Sequence, residues 1–176
     1  MRPLVVTRAL SQPRGPKQVT EVESRVEQAL AGLGSVRSIS DLAGSTAFTS
    51  RLFAVEVDSN ALPDTVIVKL EATDPATQFS AAALQLYARE VNFFRHAAES
   101  SPLRTPTCFG SDLSDDGMTF HLVFERLVGD HMDQTGGISG DEAATVISEV
   151  ARHHRFWAGR DIPHGVSLPI NNDVYQ

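Results

Sequence analysis

Thr65-Val66-Ile67-Val68-Lys69-Leu70 decides the reading of this 176-residue chain. Four consecutive β-branched residues favour an extended strand, and a short apolar run bounded by turn residues is the mark of an inner strand. The boundary is Asn60-Ala61-Leu62-Pro63-Asp64, which has turn chemistry. Alternation places Thr65, Ile67 and Lys69 on one face and Val66, Val68 and Leu70 on the other. Lys69 thus emerges among apolar neighbours. It is one of only two lysines among the 15 basic residues, the other being Lys17, in a chain that otherwise uses arginine for positive charge. An ammonium group on such a strand needs an anion nearby, because desolvating it alone costs several kcal/mol.

The anion is sought in the helix that follows. Residues 79 to 98 carry Ala83, Leu84, Tyr87, Val91 and Phe94 at helical spacing, and Glu90 falls at the edge of that stripe. Glu90 therefore needs a cation as Lys69 needs an anion, and a pairing between them is expected. The alternative is that Lys69 snorkels from a strand end while Glu90 pairs with Arg89 or Arg95 at the surface.

Further out, residues 1 to 19 contain Pro3, Pro13, Gly15 and Pro16 and are expected to form a flexible arm. Thr20 and Glu23 have capping-box spacing, and Val22, Val26, Ala29, Leu30 and Leu33 predict a first helix that ends at Gly34. Two strands are expected, from Val36 to Leu42 and from Arg51 to Val57, joined by the small-residue stretch Ala43-Gly44-Ser45-Thr46-Ala47-Phe48-Thr49-Ser50. Two more are expected from Thr107 to Ser111 and from Thr119 to Leu127, with Asp115-Asp116-Gly117 as a tight hairpin turn between them. Ser139 and Glu142 open a final helix with Ala143, Ile147, Val150, His154 and Trp157 on one face. The order is helix, three strands, helix, two strands, helix, which predicts an α+β fold around a five-stranded antiparallel sheet.

Bulk properties narrow the function. With 41% apolar and 21% charged residues the chain is long enough for a hydrophobic core. A formal net charge of -7 and the lack of any basic run argue against nucleic acid and anionic membranes as partners. The only apolar run near the start, Leu4-Val5-Val6, is far too short for a signal core or a span, so a cytoplasmic location is expected. Cys108 is the single cysteine, which rules out an internal disulfide and reads as a small buried hydrophobe.

A set of segments then acquires meaning by its order. Leu86-Tyr87-Ala88-Arg89-Glu90-Val91-Asn92-Phe93-Phe94-Arg95, Pro106-Thr107-Cys108-Phe109-Gly110, Leu122-Val123-Phe124-Glu125-Arg126-Leu127 and Ala151-Arg152-His153-His154-Arg155-Phe156-Trp157 resemble the aminoglycoside phosphotransferase and ecdysteroid-kinase-like superfamily, over roughly residues 35 to 158. The resemblance implies a protein-kinase-like N-terminal lobe at 20 to 127, followed at 128 to 176 by the start of a C-terminal lobe. It implies that Lys69 contacts the α and β phosphates of ATP, that Glu90 holds Lys69, and that the loop of Gly44, Ser45, Thr46 and Phe48 covers the phosphates. Glu125 to Leu127 would link the lobes and offer backbone C=O and N–H groups to the adenine edge. Arg126 stands where relatives often carry an acidic residue. His153 or His154 would match a histidine that relatives place before the aromatic pair, though a satisfied core histidine is the simpler role for either.

Transfer in this superfamily also needs a catalytic Asp, an Asn and a second Asp for magnesium, in the C-terminal lobe. His164-Gly165-Val166-Ser167-Leu168-Pro169-Ile170-Asn171 imitates the spacing of that loop, but Val166 occupies the acidic position and can neither accept a proton nor bind metal. The expectation is a truncated kinase lobe that uses ATP and Mg in full-length relatives, with a small-molecule acceptor, no catalytic residue of its own, and self-association through its uncovered last helix. The competing expectations are a non-catalytic α+β interaction module, with Lys69 and Glu90 as a structural ion pair, and a pseudokinase.

Overall fold

The computed structural model describes residues 16–42, 49–129, 136–161, 163 and 166. Its elements are α1 (Pro16–Ala29), β1 (Ser35–Asp41), β2 (Ser50–Asp58), β3 (Thr65–Glu71), α2 (Pro75–Ala83), α3 (Leu86–His96), β4 (Cys108–Leu113), β5 (Phe120–Glu125) and α4 (Gly140–Trp157). The five strands form one sheet in the order β1-β2-β3-β5-β4, with every pairing antiparallel. The α+β class and the five-stranded antiparallel sheet expected from the sequence are therefore present, and β3 is its central strand.

Alternation along β3 divides the core. Val66, Val68 and Leu70 are fully buried beneath α1, together with Val26, Leu30, Phe53, Val55 and Val123. On the opposite face Ile67 joins Leu122, Phe124 and Phe120 beneath Tyr87 and Val91 of α3. Each buried Val or Leu stabilises the fold by roughly 1.5–3 kcal/mol through area removed from water, so the pattern read at residues 65 to 70 places both helical layers. Arg25 of α1 fastens the first layer: its Nη2 and Nε donate to the two carboxylate oxygens of Glu71 at 2.9 and 3.2 Å. Glu71 is 4% exposed and also accepts from the Phe120 N–H at 3.1 Å.

Three boundaries differ from expectation. The first helix begins at Pro16, so Thr20 lies inside it and is not its start; proline at the first helical position loses no needed N–H and brings a preset φ. The single helix expected over residues 79 to 98 is two. α2 starts at Pro75 behind the N-cap Asp74, whose carboxylate accepts from the Thr77 N–H at 2.8 Å. The break falls at Gln85, which adopts a left-handed φ of 57°, and it turns Ala83 to solvent, outside the stripe assigned to it. The last strand ends at Glu125, leaving Leu127 beyond the sheet.

Two glycines are required by geometry. A Cβ on Gly34 would sit 2.8 Å from the Ser59 Cβ, so the turn from α1 into β1 admits only glycine at that approach. Gly117, at φ +69°, closes the β4–β5 hairpin. Asp116 accepts there from the Ser114 hydroxyl at 2.6 Å and the Met118 N–H at 2.9 Å, which is the turn role read from the sequence.

Candidate functional site

Lys69 lies opposite Leu52 of β2 and Leu122 of β5, at the middle of the sheet. From there its side chain meets α3. Its Nζ donates to Glu90 Oε1 at 2.6 Å and to Oε2 at 2.8 Å. The pair sits at the edge of the core, the Lys69 side chain 20% and the Glu90 side chain 30% exposed. The expected pairing is thus present, and of the two arginines in the surface alternative Arg95 donates instead to the Ser111 hydroxyl and carbonyl at 2.9 and 2.8 Å.

The carboxylate is positioned by its helical neighbours. Tyr87, one turn earlier, stacks on Phe120 with ring centroids 4.3 Å apart, and Val91 is wholly buried. The Tyr87 hydroxyl donates to the Thr49 carbonyl at 2.7 Å and accepts from the Ala72 N–H at 3.4 Å. Burial pushes the Tyr87 phenol above its ordinary range, so it remains protonated and able to donate. Tyr87 therefore ties α3 both to the end of β3 and to the residue immediately before β2.

An ammonium has three hydrogens, and two are directed at Glu90. Among the described residues no other acceptor takes the third. The arrangement can therefore hold an external anion while Glu90 fixes the position of the cation. Gly44, Ser45, Thr46 and Phe48, assigned to cover such an anion, lie outside the described residues. The ends of their segment are held by the Leu42 N–H to Leu52 C=O bond at 3.1 Å and the Ala72 N–H to Thr49 C=O bond at 3.2 Å.

At Glu125 one of the backbone groups expected to face adenine is engaged within the chain. Its backbone N–H donates to the Thr107 carbonyl at 2.8 Å and so is not on offer to a ligand. Its carboxylate accepts from the Thr107 N–H and hydroxyl, both at 3.1 Å, and from Arg104 at 3.0 Å. The Thr107 hydrogen bonds hold that carboxyl below the usual range, helped by the Arg104 charge. Leu127 is half-exposed, and its backbone groups bond to no other described residue.

The two histidines separate. His153 Nδ1 lies 3.3 Å from the Ser101 hydroxyl, whereas His154 is exposed and is not a core residue. Residues 164–165 and 167–171 of the loop-like passage lie outside the described residues. Among the described residues no group of three or more His, Cys, Asp or Glu gathers as a metal site, and no helix is long and apolar enough to cross a membrane.

Sequence reasoning passed over Arg25 and Glu71. Arg25 stands between Val22, Val26 and Ala29 in the apolar stripe of α1, and a charge so placed was the available signal. No protein-family model matches the chain, and a comparison with curated proteins finds no match.

Proposed function

We propose that this chain is the ATP-gripping portion of a small-molecule phosphotransferase of the aminoglycoside phosphotransferase and ecdysteroid-kinase-like kind, which passes the γ-phosphate of ATP to a substrate hydroxyl. The observation that carries the reading is the bidentate contact of Glu90 with Lys69 on the central strand, which leaves one ammonium hydrogen for a phosphate oxygen. Strand order and linker support it. Val66 pairs with Glu125 and Lys69 with Leu122, so the start of the linker lies three residues along the sheet from the cation. That is about 10 Å at strand rise, the reach of a nucleoside and its first phosphates. Adenine would take the Leu127 backbone groups, and the 43–48 segment would close over the phosphates. Magnesium, when bound with the nucleotide, neutralises phosphate charge; its ligands and the group that orients the acceptor hydroxyl lie in a C-terminal lobe under this reading.

Denaturant unfolding with and without Mg-ATP tests the proposal. Nucleotide at about 100 times its dissociation constant adds about 2.7 kcal/mol of stability, and Lys69→Ala removes the gain. A midpoint indifferent to nucleotide in the wild type favours the interaction module, with Lys69 and Glu90 as a purely structural pair.

A further inference from the structure

Where the end of α3 meets the end of α4 the chain bounds an open-sided cavity of about 280 Å³ that includes neither Lys69 nor Glu90. Phe93 and Ala97 form one wall and His153 and Trp157 another. Pro163 and Val166 form a third, in a turn where the Val166 N–H donates to the Pro163 carbonyl at 3.1 Å. The lining is mainly apolar, and its ionisable side chains are two imidazoles, His153 and His154, with no carboxylate among them. A mostly apolar hollow with a few placed polar groups is the usual form of a small-molecule site.

His153 is the anchored imidazole. Its Nδ1 lies 3.3 Å from the Ser101 hydroxyl, and Ser101 Oγ already accepts from the Leu103 N–H at 3.2 Å. The hydroxyl hydrogen is then free to point at Nδ1, which leaves the hydrogen of the neutral ring on Nε2; a protonated ring carries one there as well. Nε2 is therefore a donor for whatever enters. Charge around the cavity has one sign: residues 151 to 160 include Arg152, Arg155 and Arg160 and no acidic residue, in a chain of net charge -7. Arg155, in the last turn of α4, offsets the terminal carbonyls that would otherwise repel an anion. We propose that this cavity binds a small aromatic carboxylate, its ring against Phe93 and Trp157 and its carboxylate accepting from His153 Nε2, with the exposed His154 as a second donor.

Trp157 is the only tryptophan of the chain, so its fluorescence reports on the cavity directly. Phenylacetate titrated into the whole chain should give a saturable change and bind about 10-fold more tightly than phenylacetamide, the worth of one charge-assisted hydrogen bond. His153→Phe keeps a ring in the wall without the donor and should bring acid and amide to equal affinity. Ser101→Ala leaves every lining side chain in place and should weaken phenylacetate several-fold. Lys69→Ala should bind phenylacetate as the wild type does, which separates the cavity from the ATP reading. Far-UV circular dichroism identifies the variants that fold. The proposal is overturned by the lack of a saturable change in the wild type, by equal affinity for acid and amide, or by a preference for the acid that is undiminished in whichever of the His153 and Ser101 variants folds.

Discussion

Lys69 and Glu90 lie 21 residues apart in sequence, yet the ammonium of one sits 2.6 and 2.8 Å from the two oxygens of the other. Because the side chains are 20% and 30% exposed, solvent screens the pair in part. Either single alanine substitution leaves its partner half-desolvated, at a cost of about 1–2 kcal/mol. In a double-mutant cycle followed by urea unfolding, the Lys69→Ala and Glu90→Ala effects should therefore be non-additive by about 1 kcal/mol. Additive effects would show that the two groups are not energetically coupled.

The hydroxyl of Tyr87 joins α3 to Thr49. Tyr87→Phe keeps the stack on Phe120 but leaves the Thr49 carbonyl without that donor. Stability should fall by about 1 kcal/mol. Under the ATP reading, nucleotide affinity should fall with it, since Thr49 directly precedes β2 and follows the segment assigned to the phosphates. Urea midpoints and equilibrium nucleotide titration on the same variant check both parts.

Arg25 and Glu71 predict a larger effect. Glu71 is nearly inaccessible, and Arg25 supplies two of its hydrogen bonds. Arg25→Ala strands a buried carboxylate and should cost about 3 kcal/mol. The double variant Arg25→Ala with Glu71→Gln should recover part of that loss, measured by denaturant unfolding.

These long-range pairs mark how far the sequence could be read. The local pattern at residues 65 to 70 was enough to place the central strand, because a β-branched run with turns on both sides has few other uses. The Ser139 capping box and the Asp116 turn were equally legible, being complete within four and five residues. Lys69 and Glu90 could be matched because each presented an unmet charge on a recognisable element. Arg25 and Glu71 required knowing that α1 lies beside the end of β3, which no local pattern states. The break at Gln85 carries neither glycine nor proline, so no local signal marks its left-handed backbone. Asp74-Pro75, by contrast, is a legible start signal that the longer apolar stripe obscured. Amphipathicity announced an apolar face on α4, and the truncated-lobe expectation already left it short of partners; in the structure no residue of α4 is buried.

Stability should also respond to pH through His121. Burial, the largest influence, lowers its pKa from 6.5, so the folded state favours the neutral ring. Below pH 6.5 the unfolded chain binds the proton more readily than the folded one, and stability falls as pH drops through that region. The slope should flatten in His121→Leu when urea midpoints are compared from neutral pH downward. The Glu125 and Asp74 carboxylates, whose pKa values are lowered mainly by hydrogen bonds from Thr107 and Thr77, contribute a separate loss only in more acidic solution.

The most direct measurement compares ATP with adenosine in equilibrium titrations of the wild-type chain and Lys69→Ala. If the ammonium held by Glu90 grips phosphate, the wild type should prefer ATP by about 10- to 100-fold, the worth of one charge-assisted hydrogen bond, and Lys69→Ala should bind the two equally. Equal binding of ATP and adenosine by the wild type, or an ATP preference that survives Lys69→Ala, would contradict it.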